Sequence, residues 1–412
     1  MLPIRLTPLV RSGGFLLALL ATAAPQAQTV VKYGAEFLAG GVGARALGMG
    51  GAYVARANDV TAGYWNVAGL SQMQYPEGAY MHAERFSGVV SFDYAAVALP
   101  LNERSTVGIS FFRSGVDDIA NTLAALNPDT GLPQANTEDH ITFFSAADYA
   151  FFLSYARQLR EGLSAGVTGK IIRRRIGPFA SAWGYSFDVG AQMRVGRFTF
   201  GANLQDATAM LQSWSVDAEA FAGFDSTFGI AAPVGGTELV LPVARLGAAT
   251  DLRLTNDITL GVGLDMDVAF DGQEAYTINA GSLSFRPRVG AELVYRDVVA
   301  FRAGISDVSV SDRFGTQITP TVGAGLNLGS LDLDYGFGDF GGLQSELGFS
   351  HRVSVRYTLA RNRYARIPVP GTPVAPDVVP APAELAPSID TPAPAAAPVT
   401  DAPAAPAPTG GQ

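Results

Sequence analysis

The sequence predicts an all-β fold, a transmembrane antiparallel β-barrel of about fourteen strands with an N-terminal plug, or hatch, in its lumen. Three observations lead there. Between about Glu77 and Ala360 the chain repeats segments of roughly ten residues, apolar on one face and polar or small on the other, as transmembrane barrel strands do. The connections between segments alternate in length. Aromatic residues (Tyr149, Phe151, Tyr155, Tyr185, Phe187, Tyr295, Tyr335, Tyr357) recur on the apolar faces and near segment ends, as in interfacial girdles.

The first element is residues 1–27. Arg5 and Arg11 precede the apolar run "GGFLLALLATAA", which is too short to span a bilayer and is followed by small residues. That pattern reads as a secretory signal peptide, with cleavage between Ala23 and Gln28. No later run reaches about 18 apolar residues, so no spanning helix is expected. Yet hydrophobic residues make up 48% of the chain and charged residues only 16%, against about 25% charged in soluble proteins, and mean hydropathy is +0.19. An exported chain this apolar points to the outer membrane of a Gram-negative cell, with lipid and lipopolysaccharide as neighbours and both termini periplasmic. A net charge of −9 argues against nucleic acid, whose backbone demands a basic face.

Residues 28–75 form the second element. "GGVGARALGMGGAYVARANDVTAGYWNVAGL" has a glycine density that suggests a phosphate loop. A P-loop, however, needs lysine where Met49 stands, and a dinucleotide loop needs glycine where Ala46 stands. Glycine also permits positive φ and close backbone approach. The segment therefore reads as a plug folded compactly inside the wall, carried by Gly41, Gly43, Arg45, Gly48, Gly50, Gly51, Asn66 and Gly69. Arg45, Arg56 and Asp59 are placed to meet a charged inner face.

Residues 76–360 form the barrel. In "ITLGVGLDMDV" Ile258, Leu260, Val262, Leu264, Met266 and Val268 share one face, and Gly261, Gly263, Asp265 and Asp267 the other. Tight connections ("LNERS", "REG", "VGR", "LTND", "RD", "LGS") alternate with longer ones at 115–145, 177–183, 207–237, 271–281, 307–315 and 339–346. Short periplasmic turns against longer outer loops produce that alternation. Closure is required because an open edge in lipid leaves backbone groups unsatisfied, and fourteen strands leave a lumen their own side chains do not fill.

The polar faces point Lys170, Asp188, Arg194, Arg245, Asp265, Asp267, Arg286, Arg288, Glu292, Arg302, Asp332, Asp334, Arg352 and Arg356 into the lumen. Their mixed signs fit a salt-bridged filling that anchors the plug, or a polar conduit. No ligand loop accompanies Asp265/Asp267 or Asp332/Asp334, so no metal and no cofactor is expected. Arg173 and Arg175 sit at an outer strand end, either as partners of lipopolysaccharide phosphates or as ordinary rim residues. No catalytic site is expected: there is no cysteine, and His351 and Ser354, three apart, fall on opposite strand faces.

Residues 361–412 form the last element. From Ile367 onward the chain holds about half of its 25 prolines and no lysine or arginine, a composition that favours an extended tail over a packed core. Deleting 367–412 is expected to leave assembly intact. Loss of the heat-resistant folded band in gel electrophoresis would contradict that.

The segment "GAEFLAGGVGARALGMGGAYVARANDVTAGYWNVAGL" resembles the N-terminus of the PorV/PorQ family, within the wider FadL-like outer-membrane proteins. "HRVSVRYTL" resembles that family's closing strand, and "LPVARLGAATDL" and "GAELVYRDVVAFRAGISD" resemble its late strands. The resemblance covers about Gly34 to Leu359 and implies a fourteen-stranded barrel with a hatch in the lumen. FadL-like hatches carry an Asn-Pro-Ala motif; the matching positions are Asn66, Val67 and Ala68, without the proline. The family implies an accessory role in type IX-like secretion and surface attachment, with secreted cargo proteins as partners. The alternative it implies is passive transport of small hydrophobic ligands. The loops at 115–145 and 207–237, the latter with Phe221, Phe224 and Phe228, suit either a docking surface or a greasy funnel.

Overall fold

The structure, a computed structural model, describes residues 29–30, 35–86, 88–127, 130, 132–221, 231, 233–270, 276, 278–311, 315–339 and 349–359. The segments expected to be a signal peptide and a tail, with Phe224 and Phe228, lie outside the described residues, as does the whole of the second compact unit, Ala375–Gln412.

The N-terminal segment contains a short strand β1 (Thr29–Val30), helices α1 (Glu36–Ala39), α2 (Ala44–Gly48) and α3 (Ala62–Trp65), and a 3-10 turn Val67–Gln72. Seventeen further strands follow: β2 (Glu77–Arg85), β3 (Val90–Pro100), β4 (Ser105–Asn121), β5 (Thr142–Arg160), β6 (Leu163–Ile176), β7 (Ala180–Val195), β8 (Phe198–Gln205), β9 (Met210–Val216), β10 (Thr237–Val240), β11 (Val243–Arg253), β12 (Ile258–Ala269), β13 (Ile278–Ala280), β14 (Leu283–Tyr295), β15 (Val299–Ser311), β16 (Gly315–Asn327), β17 (Leu331–Asp339) and β18 (Phe349–Thr358). β8 and β9 lie end to end along β7 and act as one stave, as do β10 and β11. β1 and β13 only decorate the wall. Fourteen antiparallel staves remain, and pairing of β18 with β2 from His351↔Glu84 to Thr358↔Glu77 closes the barrel.

Alternation works as a sorting rule. Along β7 every second residue is buried, and the residues between them, Trp183, Tyr185, Phe187, Val189 and Met193, are exposed. The same holds around the wall, where Ile109, Leu153, Ile171, Phe200, Leu264, Phe301, Val322 and Val353 face outward. No described helix is long and apolar enough to cross a membrane; the apolar belt is made by strands.

The strands run past the boundaries expected from sequence. β4 continues to Asn121 and β5 begins at Thr142, so the 115–145 loop narrows to residues 122–141. β9 lies within the expected 207–237 loop, β13 within 271–281, and β15 runs on to Ser311. Beyond the apolar belt the outer face meets water, so pairing persists where the sequence loses its apolar alternation.

The barrel thus has a turn end, where the connections are tight, and a loop end, where the long connections 122–141 and 217–236 stand beside short ones at 86–89 and 177–179. The expectation that the N-terminal segment starts at the end where the first wall strand begins is corrected. Thr29 and Val30 pair in parallel with Glu238 and Leu239 of β10, at the loop end, whereas β2 begins at the turn end. Above β12 the inner part of β10 has a free edge, and β1 satisfies it.

Candidate functional site

Residues 42–71 of the N-terminal segment are nearly all buried, and their partners come from both arcs of the wall. The Ala44 amide donates to Ser354 Oγ (2.6 Å). The Tyr53 and Val54 amides donate to Asp265 Oδ2 (2.7 and 2.8 Å). Asn66 Nδ2 donates to the carbonyls of Val54 and Ala191 (3.1 and 3.0 Å), while its Oδ1 accepts from the Ala68 amide. Gln192 Nε2 donates to the carbonyls of Val54 and Ala57. Such bonds are what an irregular backbone needs when water is excluded.

The glycines act in two ways. Gly41, Gly43, Gly50 and Gly51 have φ between 64° and 83°. Gly50 and Gly51 show why this matters: two successive left-handed residues turn the chain back beneath α2, a path costly for any residue with a Cβ. Gly48 and Gly69 instead permit close approach, Gly48 to Gly323 of β16 and Gly69 to the Ala57 carbonyl.

The wall answers with glycines of its own, which the sequence did not single out. Cross-strand neighbours Gly166–Gly190, Gly201–Gly247, Gly263–Gly290–Gly304 and Gly323–Gly336 form a belt around most of the circumference. A Cβ on Gly201 would stand 2.6 Å from the Val54 carbonyl oxygen, on Gly263 2.7 Å from that of Ala52, and on Gly336 2.7 Å from that of Ala44. On Gly290 it would stand 2.8 Å from the Met49 carbonyl carbon. The backbone of the segment therefore lies directly on the backbone of the wall.

Charges fill the remaining space. Glu292 accepts from Arg45 (2.8 and 2.7 Å), Arg56 (3.0 Å) and Arg302 (2.7 Å). Arg302 also reaches Asp334 (2.7 Å), and Arg356 reaches Asp332 (2.6 Å) and, at 3.7 Å, both Asp59 and Glu77. Lys170 is held by Asp188 (3.1 Å) and Asp206 (2.7 Å). Arg288 pairs with Asp267, and Arg245 approaches the same carboxylate at 3.8 Å while lying over the Tyr64 and Trp65 rings. Arg286 meets Asp307 at 3.2 Å. Arg352 donates to the carbonyls of Gly40 and Gly41 (both 3.1 Å). Burial pulls Arg45 downward, yet Glu292, Tyr53 and Asp59 hold it well above its ordinary value. Burial would likewise raise Asp59, but Arg356 and Arg45 keep it below the usual carboxylate range.

The two aspartate pairs considered as cation ligands are thus spent on arginines and on backbone amides. Among the described residues no group of three or more His, Asp or Glu is arranged to hold a metal. His351 Nδ1 meets the Tyr335 hydroxyl at 2.6 Å on the outer face. Arg173 stacks on Trp183 (4.8 Å), and Arg175 bonds the Gly177 carbonyl near the loop end. Phe221 packs on Phe179 (5.2 Å), which packs on Phe144 (5.1 Å).

The arc from β3 to β9 carries an apolar cluster beside the Lys170–Asp188–Asp206 group. Phe92, Tyr94, Phe112, Phe152, Ile172 and Met210 point inward from β3 to β9, and Phe37 and Leu38 of α1 complete their cluster.

One stretch of wall is incomplete. β14 pairs with β15 over only seven positions, Val289↔Ile305 to Tyr295↔Val299. Above them β15 shifts register between Ile305 and Asp307, while β13 takes the edge of β14 at Leu283–Phe285. Among the described residues no strand pairs with Arg286, Pro287 and Arg288 on that side, and Pro287 has no N–H to offer one. Seven positions at about 3.4 Å, tilted by about 40°, reach roughly 18 Å, short of an apolar band of about 25 Å. The band does extend higher here, since Ile318 on β16, paired with Val308, is exposed.

These features define a transmembrane barrel of outer-membrane type with its own N-terminal segment packed against the inner wall. No protein-family profile and no curated protein matches the chain. Among solved structures it is similar to the toluene transporter TbuX of Ralstonia pickettii, at 13% identity and TM-score 0.47, over 80% of this chain and 100% of that one. It is similar to the P. putida toluene transporter TodX at 12% identity and TM-score 0.49, over 77% and 99%. A Pseudomonas aeruginosa FadL homologue matches at 12% identity and TM-score 0.42, over 77% and 98%.

Proposed function

We propose that this protein is an outer-membrane conduit of FadL-like type: small hydrophobic molecules enter at the loop end and leave sideways through the β14–β15 break, with the N-terminal segment as plug. The break carries this reading. With backbone seated on backbone at the glycine belt, the axial route is filled, and an interrupted wall at membrane height is the remaining exit. The apolar arc around Phe37 gives a greasy molecule a surface on the way in, once α1 yields. The Arg286–Asp307 pair spans the break from inside and acts as its latch. Small apolar cargo is what the similar solved proteins are named for, toluene and monoaromatic hydrocarbons. The secretion role implied by the PorV/PorQ resemblance has no specific observation in its favour among the described residues. On the outer rim, Arg173 and Arg175 are placed to contact lipopolysaccharide phosphates.

The chain has no cysteine, so a pair introduced at the latch is the only thiol pair. In cells carrying Arg286→Cys/Asp307→Cys, bridging with a short reducible bis-thiol crosslinker is expected to lower radiolabelled toluene uptake at least tenfold, and reduction to restore it. Uptake indifferent to the bridge would exclude the lateral route. Uptake no higher than in cells without the protein would exclude the conduit.

A further inference from the structure

The chain carries a net charge of −9, yet its turn end is basic along one continuous arc. Arg104, Arg157, Arg160, Arg194, Arg197 and Arg253 stand at the turns of the neighbouring staves β4 to β8 and β11. Main-chain bonds hold these turns side by side. The Gln158 amide donates to the Arg104 carbonyl (2.8 Å), the Arg194 amide to that of Gly162 (2.7 Å), and Thr250 Oγ1 to that of Arg197 (3.2 Å). Against the six arginines the same stretch carries Glu103 and Glu161, while Asp251 and Asp257 are taken by Arg56 and Arg296. All six except Arg194 are exposed, and among the described residues Arg104, Arg157, Arg160, Arg197 and Arg253 form no ion pair. Large apolar side chains are exposed among them. Leu101 shares a turn with Arg104, Leu159 lies between Arg157 and Arg160, and Leu254 follows Arg253. The Arg197 guanidinium lies 5.1 Å from the centre of the exposed Phe198 ring. Exposed carboxylates gather instead at the loop end, at Asp117, Asp118, Glu138, Asp139, Asp217 and Glu219.

We infer that this arginine arc binds the headgroups of anionic phospholipids in the leaflet at the turn end. On the outer face of β5, Leu153 and Tyr155 are exposed and Arg157 comes next towards the turn, so the arginines begin where the apolar belt ends. At that depth an arginine lays its stem along apolar neighbours and sends its guanidinium to the phosphates. The guanidinium fork matches two phosphate oxygens, and such bonds are charge-assisted. A zwitterionic headgroup brings its own ammonium to its phosphate. An anionic one leaves that charge unanswered, as the arc leaves its arginines, so the two complete each other. The leucines between the arginines give the same lipids an apolar surface for the start of their chains. The inference concerns the outside of the barrel and stands whether or not the barrel transports anything.

Native mass spectrometry of the full chain, released from mixed micelles holding equal amounts of dioleoyl phosphatidylglycerol and dioleoyl phosphatidylcholine, reads the preference directly. The protein is expected to retain phosphatidylglycerol over phosphatidylcholine by about tenfold, since each arginine near an anionic surface adds to the attraction. That preference is expected to vanish in Arg157→Gln/Arg160→Gln/Arg197→Gln, whose three positions are all exposed. If the triple variant does not fold, Arg104→Gln/Arg197→Gln, with both changes in turns, carries the test. Equal retention of the two lipids by the unsubstituted protein, or a preference undiminished in the folded variant, overturns the inference. So does a preference lost in Arg173→Gln/Arg175→Gln instead, because the lipid would then sit at the loop end.

Discussion

Gly290→Leu is expected to expel the N-terminal segment from the wall. A side chain on β14 at that point would occupy the place of the Met49 backbone, with the carbonyl carbon 2.8 Å from the new Cβ. Overpacking of a core costs about 1–3 kcal/mol even where side chains can shift, and here the obstacle is main chain on both sides. The neighbouring belt glycines Gly263 and Gly304 leave no slack, since each also abuts the segment between Met49 and Ala52. The ladder hydrogen bonds of β14 do not depend on its side chains, so the barrel should still close. Limited proteolysis is the measurement: residues 42–71, resistant in the parent, should be cut in Gly290→Leu while the wall survives. Gly78→Ala is the control, because the nearest atom to a Cβ there, the Ala96 carbonyl oxygen, is 3.9 Å away. Equal resistance of the two variants would mean that the segment does not lie on the belt.

Glu292→Gln should cause the largest loss of stability of any single charge change. Glu292 is almost wholly buried and accepts from Arg45, Arg56 and Arg302. Arg302 keeps Asp334, and Arg56 keeps Asp251 (2.8 Å), but Arg45 loses its ion pair and keeps only the face of the Tyr53 ring and the more distant charge of Asp59. Removing one partner of a buried ion pair costs about 3–5 kcal/mol, because the other is left uncompensated. Urea unfolding in lipid vesicles should show that loss for Glu292→Gln and for Arg45→Met singly. The double variant should lose much less than the sum, the signature of direct coupling. Additive losses would mean that the two residues stabilise the barrel independently.

Much of this architecture is readable in the chain. Period-two alternation in "ITLGVGLDMDV" sets Ile258 to Val268 outward and Asp265 and Asp267 inward; burial alternates that way from Gly261 to Asp267, with Leu264 exposed and both aspartates buried, but Val268 is buried. The tight connections fall at one end. The segment at Gly40–Leu70 announces a compact, glycine-dependent path, and Gly50 and Gly51 adopt it. Which charge meets which is less readable, because it depends on register. Asp267 stands opposite Arg286 in the β12–β14 ladder yet pairs with Arg288, two residues along.

The glycine belt is invisible for a related reason. Gly263, Gly290 and Gly304 are merely small residues on polar faces until the pairing of three strands sets them side by side. The break beside β14 leaves only Pro287 as a trace in the sequence. Arg352 follows the inward pattern, but its bonds to the Gly40 and Gly41 carbonyls are a property of the packed interior and not of any local spacing. The start of the N-terminal segment at the loop end depends on a parallel pairing of two residues with β10, too short for any periodicity to reveal.

The barrel's interior is set by the N-terminal segment lying against the inner wall, and backbone hydrogen exchange tests that most directly. In the folded protein in lipid, the amides of Ala44, Tyr53 and Val54, bonded to Ser354 and Asp265, should exchange as slowly as those of the wall strands. Exchange of these amides within seconds, with the strands still protected, would contradict it.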